Sequence, residues 1–167
     1  MKALVVYYSL SGKTEFIANV IASELNADVE RIRLVSEYKP VDMKKIRLKD
    51  LIQLFSMILG ASLNKTPPIR AMKYSLKDYD YVFVGTPVWA GRSAPPVNTF
   101  ISQSRFNGKV VMLFASCDDE VSGDNALKLV KNEVMSKGGI VMHTKAVKLT
   151  DIKSEKVVES IRSLAHL

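Results

Sequence analysis

Short apolar segments alternate with amphipathic segments along this chain. Residues 3–8, 81–85 and 110–115 are nearly continuous apolar runs, which is typical of strands buried on both faces of a sheet. Two further segments complete a set of five predicted strands: residues 29–34, whose imperfect alternation suits the edge of a sheet, and residues 140–149. The pattern therefore predicts a sheet whose strands are mostly buried.

The segments between these strands have the period of amphipathic helices. Four of the predicted helices lie over residues 13–25, over residues 94–104, from Ser122 or Gly123 to the Gly138-Gly139 pair, and after a candidate capping residue at Ser154. Strands that alternate with helices indicate an α/β fold, a doubly wound parallel sheet with helices on both faces. Such sheets bind ligands at the carboxyl ends of their strands, where the strand order reverses.

The composition is that of an ordinary globular protein. The 167 residues are 47% hydrophobic and 25% charged, and their number suits a single domain over residues 1–167. Cys117 is the only cysteine and there are two histidines, so we predict neither a disulfide framework nor a metal site. The N-terminus lacks a signal-peptide pattern, and no apolar run approaches the roughly 18 residues of a membrane span. We therefore expect a cytoplasmic protein.

Residues 39–77 form an unusually long connection between the second and third predicted strands. They hold nine basic and two acidic residues, a surplus equal to the formal charge of +7 on the whole chain. Apolar residues at helical spacing predict an amphipathic helix here: Leu48, Leu51, Ile52, Leu54, Phe55, Met57, Ile58 and Leu59. We expect its apolar face to cover the sheet; a subunit interface and an anionic membrane surface are the alternatives.

A hydroxyl-rich loop directly follows the first predicted strand and precedes the first predicted helix. Its residues are Ser9, Leu10, Ser11, Gly12, Lys13 and Thr14. Free N–H groups at a helix start, the helix dipole and neighbouring hydroxyl groups together favour binding of a phosphate. A nucleoside-triphosphate loop is excluded because its motif needs a glycine where Tyr7 stands, and the eight glycines contain no dinucleotide fingerprint.

The order Ser-x-Ser-Gly-x-Thr after a strand resembles the phosphate loop of the flavodoxin family. The resemblance implies five parallel strands in the order 2-1-3-4-5, with the helical insertion between strands 2 and 3. It also implies FMN as the cofactor, with Ser9, Ser11 and Thr14 around its phosphate. The side chain of Lys13 either contacts this phosphate or points to solvent, and we favour solvent, as is common for lysine side chains.

A second loop follows the next buried strand and contains the only tryptophan. Its residues are Thr86, Pro87, Val88, Trp89, Ala90 and Gly91. Packing beneath the following helix would account for Trp89; we favour stacking of its indole on the flavin ring, because the loop resembles that of one branch of the family. The resemblance also makes Ala90–Gly91 the peptide that turns over on flavin reduction, which the conformational freedom of Gly91 would allow.

A third loop follows the third buried strand. By resemblance, the backbone of Ser116, Cys117 and Asp118 would contact the pyrimidine edge of the flavin, and Gly123 would complete the site at the start of the next helix. For Cys117 we favour a small buried side chain over a redox thiol. The loop lacks the aromatic residue that many family members have at this place, so a second stacking partner is not predicted from it.

The resemblance implies an electron-transfer protein that passes electrons between a reductase and an acceptor protein. The alternative on the same fold is an NAD(P)H-dependent quinone or flavin oxidoreductase, with a homodimer expected; a third hypothesis is an interaction module without a cofactor. Flavodoxins are typically acidic, whereas this chain is basic. We therefore expect either an acidic redox partner or a role other than a free electron carrier. No nucleic-acid partner is predicted, because no binding motif is present in the sequence.

Overall fold

A computed structural model describes residues 1–36, 48–62, 66–148, 150 and 155–163 of the chain. Within these residues the elements follow one another as β1 (Ala3–Tyr7), α1 (Lys13–Leu25), β2 (Asp28–Arg31), α2 (Leu48–Ser62), a short 3-10 helix (Leu76–Asp78), β3 (Tyr81–Trp89), β4 (Arg92–Ser93), α3 (Pro95–Gln103), β5 (Val110–Cys117), α4 (Glu120–Ser136), β6 (Ile140–Lys148) and α5 (Glu155–Ser163). Strands and helices alternate, as the hydrophobic pattern predicts.

Five of the described strands form a parallel sheet in the order β2-β1-β3-β5-β6. The two-residue strand β4 pairs in antiparallel orientation with the end of β3. With β4 left aside, this is the order 2-1-3-4-5, so the predicted fold class is confirmed. The chain passes from β1 to a neighbour on one side and then to β3 on the other, which places the switch point of the sheet beside β1.

Helices cover both faces of the sheet and divide the buried core into two layers. On one face α1 and α5 pack over residues such as Val5 and Phe83. On the other face α3 and α4 pack over residues such as Leu4, Val84 and Leu113. Alternate strand residues therefore face opposite layers, as the two-residue period of a β-strand requires.

Three boundaries differ from the expectation for physical reasons. Strand β3 continues through Trp89, because its last two residues pair with β4. Helix α4 begins at Glu120, because Asp119 caps it by accepting a hydrogen bond of 2.8 Å from the N–H of Ser122. Strand β2 already ends at Arg31. Beyond it, pairing continues as a single antiparallel bridge rather than as a strand.

The last helix is confirmed, although not all of its expected features can be examined. The predicted cap Ser154 lies outside the described residues, as do residues 164–167 at the expected end of the apolar face. Ile161 is buried against the layer of α1, as the predicted face requires. Among the described helices, none has the length and apolarity needed to cross a membrane.

Much of the predicted apolar face of α2 is exposed rather than packed on the sheet. The helix itself is confirmed and lies against α3 and the ends of β3 and β4. Five of its large apolar side chains are exposed, from 38% at the last to 75% at the first: Leu48, Leu51, Ile52, Phe55 and Leu59. The expectation of burial is wrong for these five residues, because they lie on the solvent-facing side of α2, whereas Asp50 and Gln53 of the same helix are partly buried.

Candidate functional site

The three predicted loops lie at one edge of the sheet, because β1, β3 and β5 are adjacent and parallel. The hydroxyl groups of Thr14 and Ser116 form a buried hydrogen bond of 2.8 Å, which joins the first and third loops. The N–H of Tyr8 donates to the carbonyl of Gly85 at 3.1 Å, which joins the starts of the first and second. The structure therefore brings the three groups of residues together at the carboxyl ends of the central strands.

The first loop presents the start of α1 to solvent. Gly12 is the N-cap residue, with a φ of +85° that favours glycine, and its N–H donates to Ser9 Oγ at 3.1 Å. This N-cap provides no side-chain hydrogen bond to the first N–H groups of α1, while Ser11, Gly12 and Lys13 are exposed. An uncapped helix N-terminus, where the dipole is positive, is a favourable place for an anion.

The hydroxyl groups of the first loop differ in their accessibility. Ser9 and Thr14 are buried, and both already make hydrogen bonds inside the protein. Leu10 is partly buried and packs against the core under α3 and α4. Ser11 is exposed, so its hydroxyl is the most accessible of the three to a ligand.

Three residues for which no role at the site was predicted, Tyr7, Glu15 and Arg31, are linked to one another and to this loop. The hydroxyl of Tyr7 donates to Glu15 at 3.0 Å, and burial together with this hydrogen bond raises the pKa of Tyr7 to about 12. The guanidinium of Arg31 donates to the carbonyl of Ser9 at 2.9 Å and lies 3.7 Å from the Glu15 carboxylate. Arg31 holds the loop from a neighbouring strand, a role that no local motif indicates.

The second loop is an ordered β-hairpin. Trp89 pairs with Arg92 across a two-residue turn, in which Ala90 and Gly91 have φ values of +50° and +71°. Positive φ at both central positions is the geometry of a type I′ turn. The Ala90–Gly91 peptide therefore lies at the tip of the hairpin, and Ala90 is exposed there.

The indole of Trp89 packs against the protein and remains partly accessible. It meets the ring of Tyr8 edge to face, with centroids 5.8 Å apart and planes at 85°, and it contacts the core under α3 and α4. Trp89 thus packs against the core beneath the following helix, α3, which is the simpler of the two interpretations of this residue. Because Trp89 is only partly buried, some aromatic surface remains at the same sheet edge as the first loop.

The hydroxyl of Thr86 supports the hairpin from within. It accepts a hydrogen bond from the N–H of Ala94 at 2.9 Å and donates to the carbonyl of Pro87 at 2.9 Å. Pro87 and Val88 are partly buried. Ser93, the predicted helix cap, instead donates to the side chain of Asn98, and the N-cap position of α3 is Ala94. These contacts fix the return of the chain from β3 into α3.

The third loop combines one exposed position with two packed ones. Cys117 is buried with its Sγ 3.5 Å from the carbonyl of Val147, and burial raises its pKa to about 11. The thiol therefore stays protonated near neutral pH, which favours a packing role. A Cβ added to Gly123 would lie 2.7 Å from this sulfur. Asp118 is exposed, while Ser116 is buried against Thr14.

A model of the flavodoxin family matches residues 2–160, so the chain belongs to the flavodoxin family. A curated relative named NAD(P)H dehydrogenase (quinone), from Bradyrhizobium sp. (strain ORS 278), is 32% identical over 132 residues. These residues cover 73% of this chain and 59% of that protein. The chain thus matches less than two thirds of that relative's length.

Solved structures show the same fold. A flavoprotein in complex with FMN from Lactobacillus acidophilus NCFM has a TM-score of 0.67 at 22% identity, covering 93% of this chain and 98% of that one. Oxidised flavodoxin 2 from Bacillus cereus has a TM-score of 0.65 at 19% identity, covering 99% and 96%. These similarities confirm the predicted fold, and the family match supports FMN as the cofactor.

Proposed function

We propose that this chain binds FMN through its three loops and passes electrons between a reductase and an acceptor protein. The observation that carries the proposal is the exposed, uncapped N-terminus of α1 at the same sheet edge as the Trp89 hairpin. The helix start suits a phosphate, and a partly accessible indole suits a flat aromatic ring. FMN combines both groups in one molecule.

The first turn of α1 would bind the phosphate of FMN. Main-chain N–H groups and the positive end of the helix dipole act on a dianion without a dedicated cationic side chain. Ser11 would add an accessible hydroxyl, and the hydrogen bond between Gly12 and Ser9 keeps the loop in shape. Residues 9–14 contain no acidic side chain that would repel the phosphate.

The hairpin and the third loop would hold the flavin ring. Trp89 offers apolar aromatic surface, the Ala90–Gly91 peptide offers hydrogen-bonding groups at the turn, and the backbone of residues 116–118 lies on the adjacent strand end. FMN supplies the redox chemistry when bound. The protein residues bind the ring, orient it and shield one part of it from water.

A second candidate function is an NAD(P)H-dependent quinone oxidoreductase. The specific observation in its favour is the curated relative of that name, which is 32% identical to this chain. The same loops would then hold FMN, and a quinone or the reduced nicotinamide would reach the flavin at the exposed side of the hairpin. A homodimer would be expected for this function.

Turnover without a partner separates the two functions. We expect the purified FMN-loaded protein to oxidise NADH or NADPH slowly in the presence of a quinone, and to do so rapidly only after an added flavodoxin reductase. Protein without FMN is the control for chemistry outside the flavin site. Rapid steady oxidation by the FMN-loaded protein alone would contradict the electron carrier and support the oxidoreductase.

The charge of the chain bears on its partner. With a formal net charge of +7, long-range attraction favours an acidic acceptor or reductase. Encounter rates with such a partner should fall steeply as ionic strength rises. The proposal places the protein in the cytoplasm, where NAD(P)H-dependent reductases supply electrons.

A further inference from the structure

A cavity of about 480 Å³ lies beside the edge strand β2, against the first turn of α1. Its polar lining contains more basic than acidic side chains: Arg31, Arg33, Arg70 and Lys73 against Glu15 and Glu30. Arg33, Arg70 and Lys73 are not part of the proposed flavin site. The volume is within the range of about 300–1,000 Å³ that small-molecule sites occupy.

The fold places two of these arginines side by side. Leu34 forms an antiparallel bridge with Ile69, and the N–H of Arg70 donates to the carbonyl of Arg33 at 2.7 Å. Arg33 and Arg70 are therefore directly opposite each other across the two segments. Like charges directly opposite each other repel, and an anion bound between these two exposed arginines would remove that repulsion.

The acidic side chains of the cavity already have other partners. Glu15 accepts from Tyr7 and lies beside Arg31. One carboxylate oxygen of Glu30 accepts from the N–H groups of Lys73 and Tyr74, at 2.9 and 3.1 Å. Among the described residues, neither carboxylate forms an ion pair with Arg33 or Arg70.

By contrast, most N–H donors of the Arg33 and Arg70 guanidinium groups make no hydrogen bond with the described residues. Among the described residues, Arg70 donates a side-chain hydrogen bond only from Nε, to the carbonyl of Leu34 at 3.2 Å. In the described part of the chain, the Arg33 side chain makes no hydrogen bond or ion pair. Planar guanidinium forks match the oxygen atoms of a phosphate.

The rest of the lining suits a larger molecule than phosphate alone. Val29, Ala71 and Met72 contribute apolar surface next to the arginines. Guanidinium planes also stack well on aromatic bases. A ligand with one phosphate group and a flat, weakly polar body would use both parts of the cavity.

We propose that this cavity binds a nucleotide monophosphate, with its phosphate between Arg33 and Arg70 and its base over the apolar lining. The cavity lies behind the first loop, on the side of β2, and so this ligand is a second one beside the flavin. The inference is independent of the proposed function, because it uses residues that the flavin loops do not contain.

Calorimetric titration of the full chain tests the inference. The protein is loaded with FMN, freed of excess flavin and titrated with 5′-AMP, with adenosine and with inorganic phosphate. We expect saturable binding of 5′-AMP, weaker binding of phosphate and still weaker binding of adenosine. The double variant Arg33→Gln/Arg70→Gln should bind 5′-AMP at least about tenfold more weakly, because it loses the charge-assisted contacts of both guanidinium groups with the phosphate.

Arg105→Gln is the matched control, because Arg105 is an exposed arginine away from the cavity; it should bind 5′-AMP like the wild type. Absence of saturable 5′-AMP binding, equal binding by the double variant, or release of FMN by 5′-AMP would overturn the inference. Thermal unfolding of the variants shows that they are folded. Binding of 5′-AMP by protein that takes up no FMN would contradict the proposed function and leave this inference standing.

Discussion

At the scale of single residues, the hydroxyl groups of the first loop have different tasks. Thr14 is hydrogen-bonded to Ser116, a residue 102 positions away in sequence, and Ser9 accepts from Gly12. Ser11 is exposed. The spacing of these residues predicts an anion loop, but spacing within one loop cannot reveal a partner on another strand. Which hydroxyl is accessible therefore becomes visible only in the fold.

The predicted stacking on the flavin ring can be tested by substitution of Trp89. Trp89→Ala should weaken FMN binding by about tenfold or more, because both stacking and buried apolar area are lost. Quenching of flavin fluorescence on titration of FMN with apoprotein measures the affinity. Trp89→Phe keeps an aromatic face and should retain most of it. Wild-type affinity in a folded Trp89→Ala variant would contradict stacking.

At the scale of elements, the periodic segments were predicted best. Helix α1 spans Lys13–Leu25, as its apolar spacing predicts, since that spacing is a local property. The extension of β3 to Trp89 depends on pairing with β4, and the start of α4 depends on the cap at Asp119. Such boundaries follow from contacts that compete with the apolar pattern, so the pattern alone places them a few residues away.

Close packing of α4 on the sheet depends on Gly123. A Cβ at this position would lie 2.7 Å from both Cys117 Sγ and the Cβ of Ala146. Gly123→Ala should therefore lower the free energy of unfolding by about 1–3 kcal/mol, the usual cost of overpacking, in a urea titration. Asn125→Ala, at an exposed position of the same helix, should change it by less than about 0.5 kcal/mol. Equal values for the two variants would contradict the packing role.

The cap of α4 predicts a pH dependence. Hydrogen bonds from Ser122 hold the pKa of the Asp119 carboxyl below its usual range. Because the pKa is lower in the folded state, the ionised cap stabilises above the unfolded value of about 3.9. That stabilisation is lost as the pH falls through the folded pKa.

Asp119→Ala should therefore be less stable than the wild type at pH 7, and the difference should shrink below about pH 4. Urea midpoints of the two proteins across this pH range measure it. Asp118→Ala, which changes the exposed neighbour, is the matched control. A difference between wild type and Asp119→Ala that stays constant down to low pH would contradict the ionised cap.

At the scale of the whole molecule, the helical layers follow from the hydrophobic pattern and the strand order follows from the family resemblance, whereas the exposed face of α2 follows from neither. A wide apolar face predicts burial, yet Leu48, Ile52 and Phe55 are among its exposed side chains. Amphipathic spacing shows that a face is apolar but not what it packs against. Which side of α2 is buried therefore depends on tertiary contacts that a single sequence does not reveal.

Alanine substitutions at one buried and one exposed phenylalanine test this arrangement. Phe83 is 1% exposed and Phe55 is 67% exposed. In dilute protein, Phe83→Ala should lower the free energy of unfolding by about 3–5 kcal/mol, and Phe55→Ala should change it by less than about 0.5 kcal/mol. Urea unfolding followed by circular dichroism gives both values. A large loss of stability from Phe55→Ala would show that α2 packs its apolar face inwards.

The central claim is that residues 9–14 bind the phosphate of FMN, and Ser11→Asp tests it most directly. A carboxylate at this exposed position should repel the phosphate and weaken FMN binding by about tenfold or more. Ser75→Asp adds the same charge at the opposite end of the sheet, before β3, and should leave FMN affinity unchanged.

Riboflavin, which has the same ring and no phosphate, makes the measurement specific. Titration of the apoproteins followed by flavin fluorescence should show that Ser11→Asp weakens binding of FMN and leaves binding of riboflavin nearly unchanged. Unchanged FMN affinity, or an equal loss for FMN and riboflavin, would contradict the phosphate site at this loop.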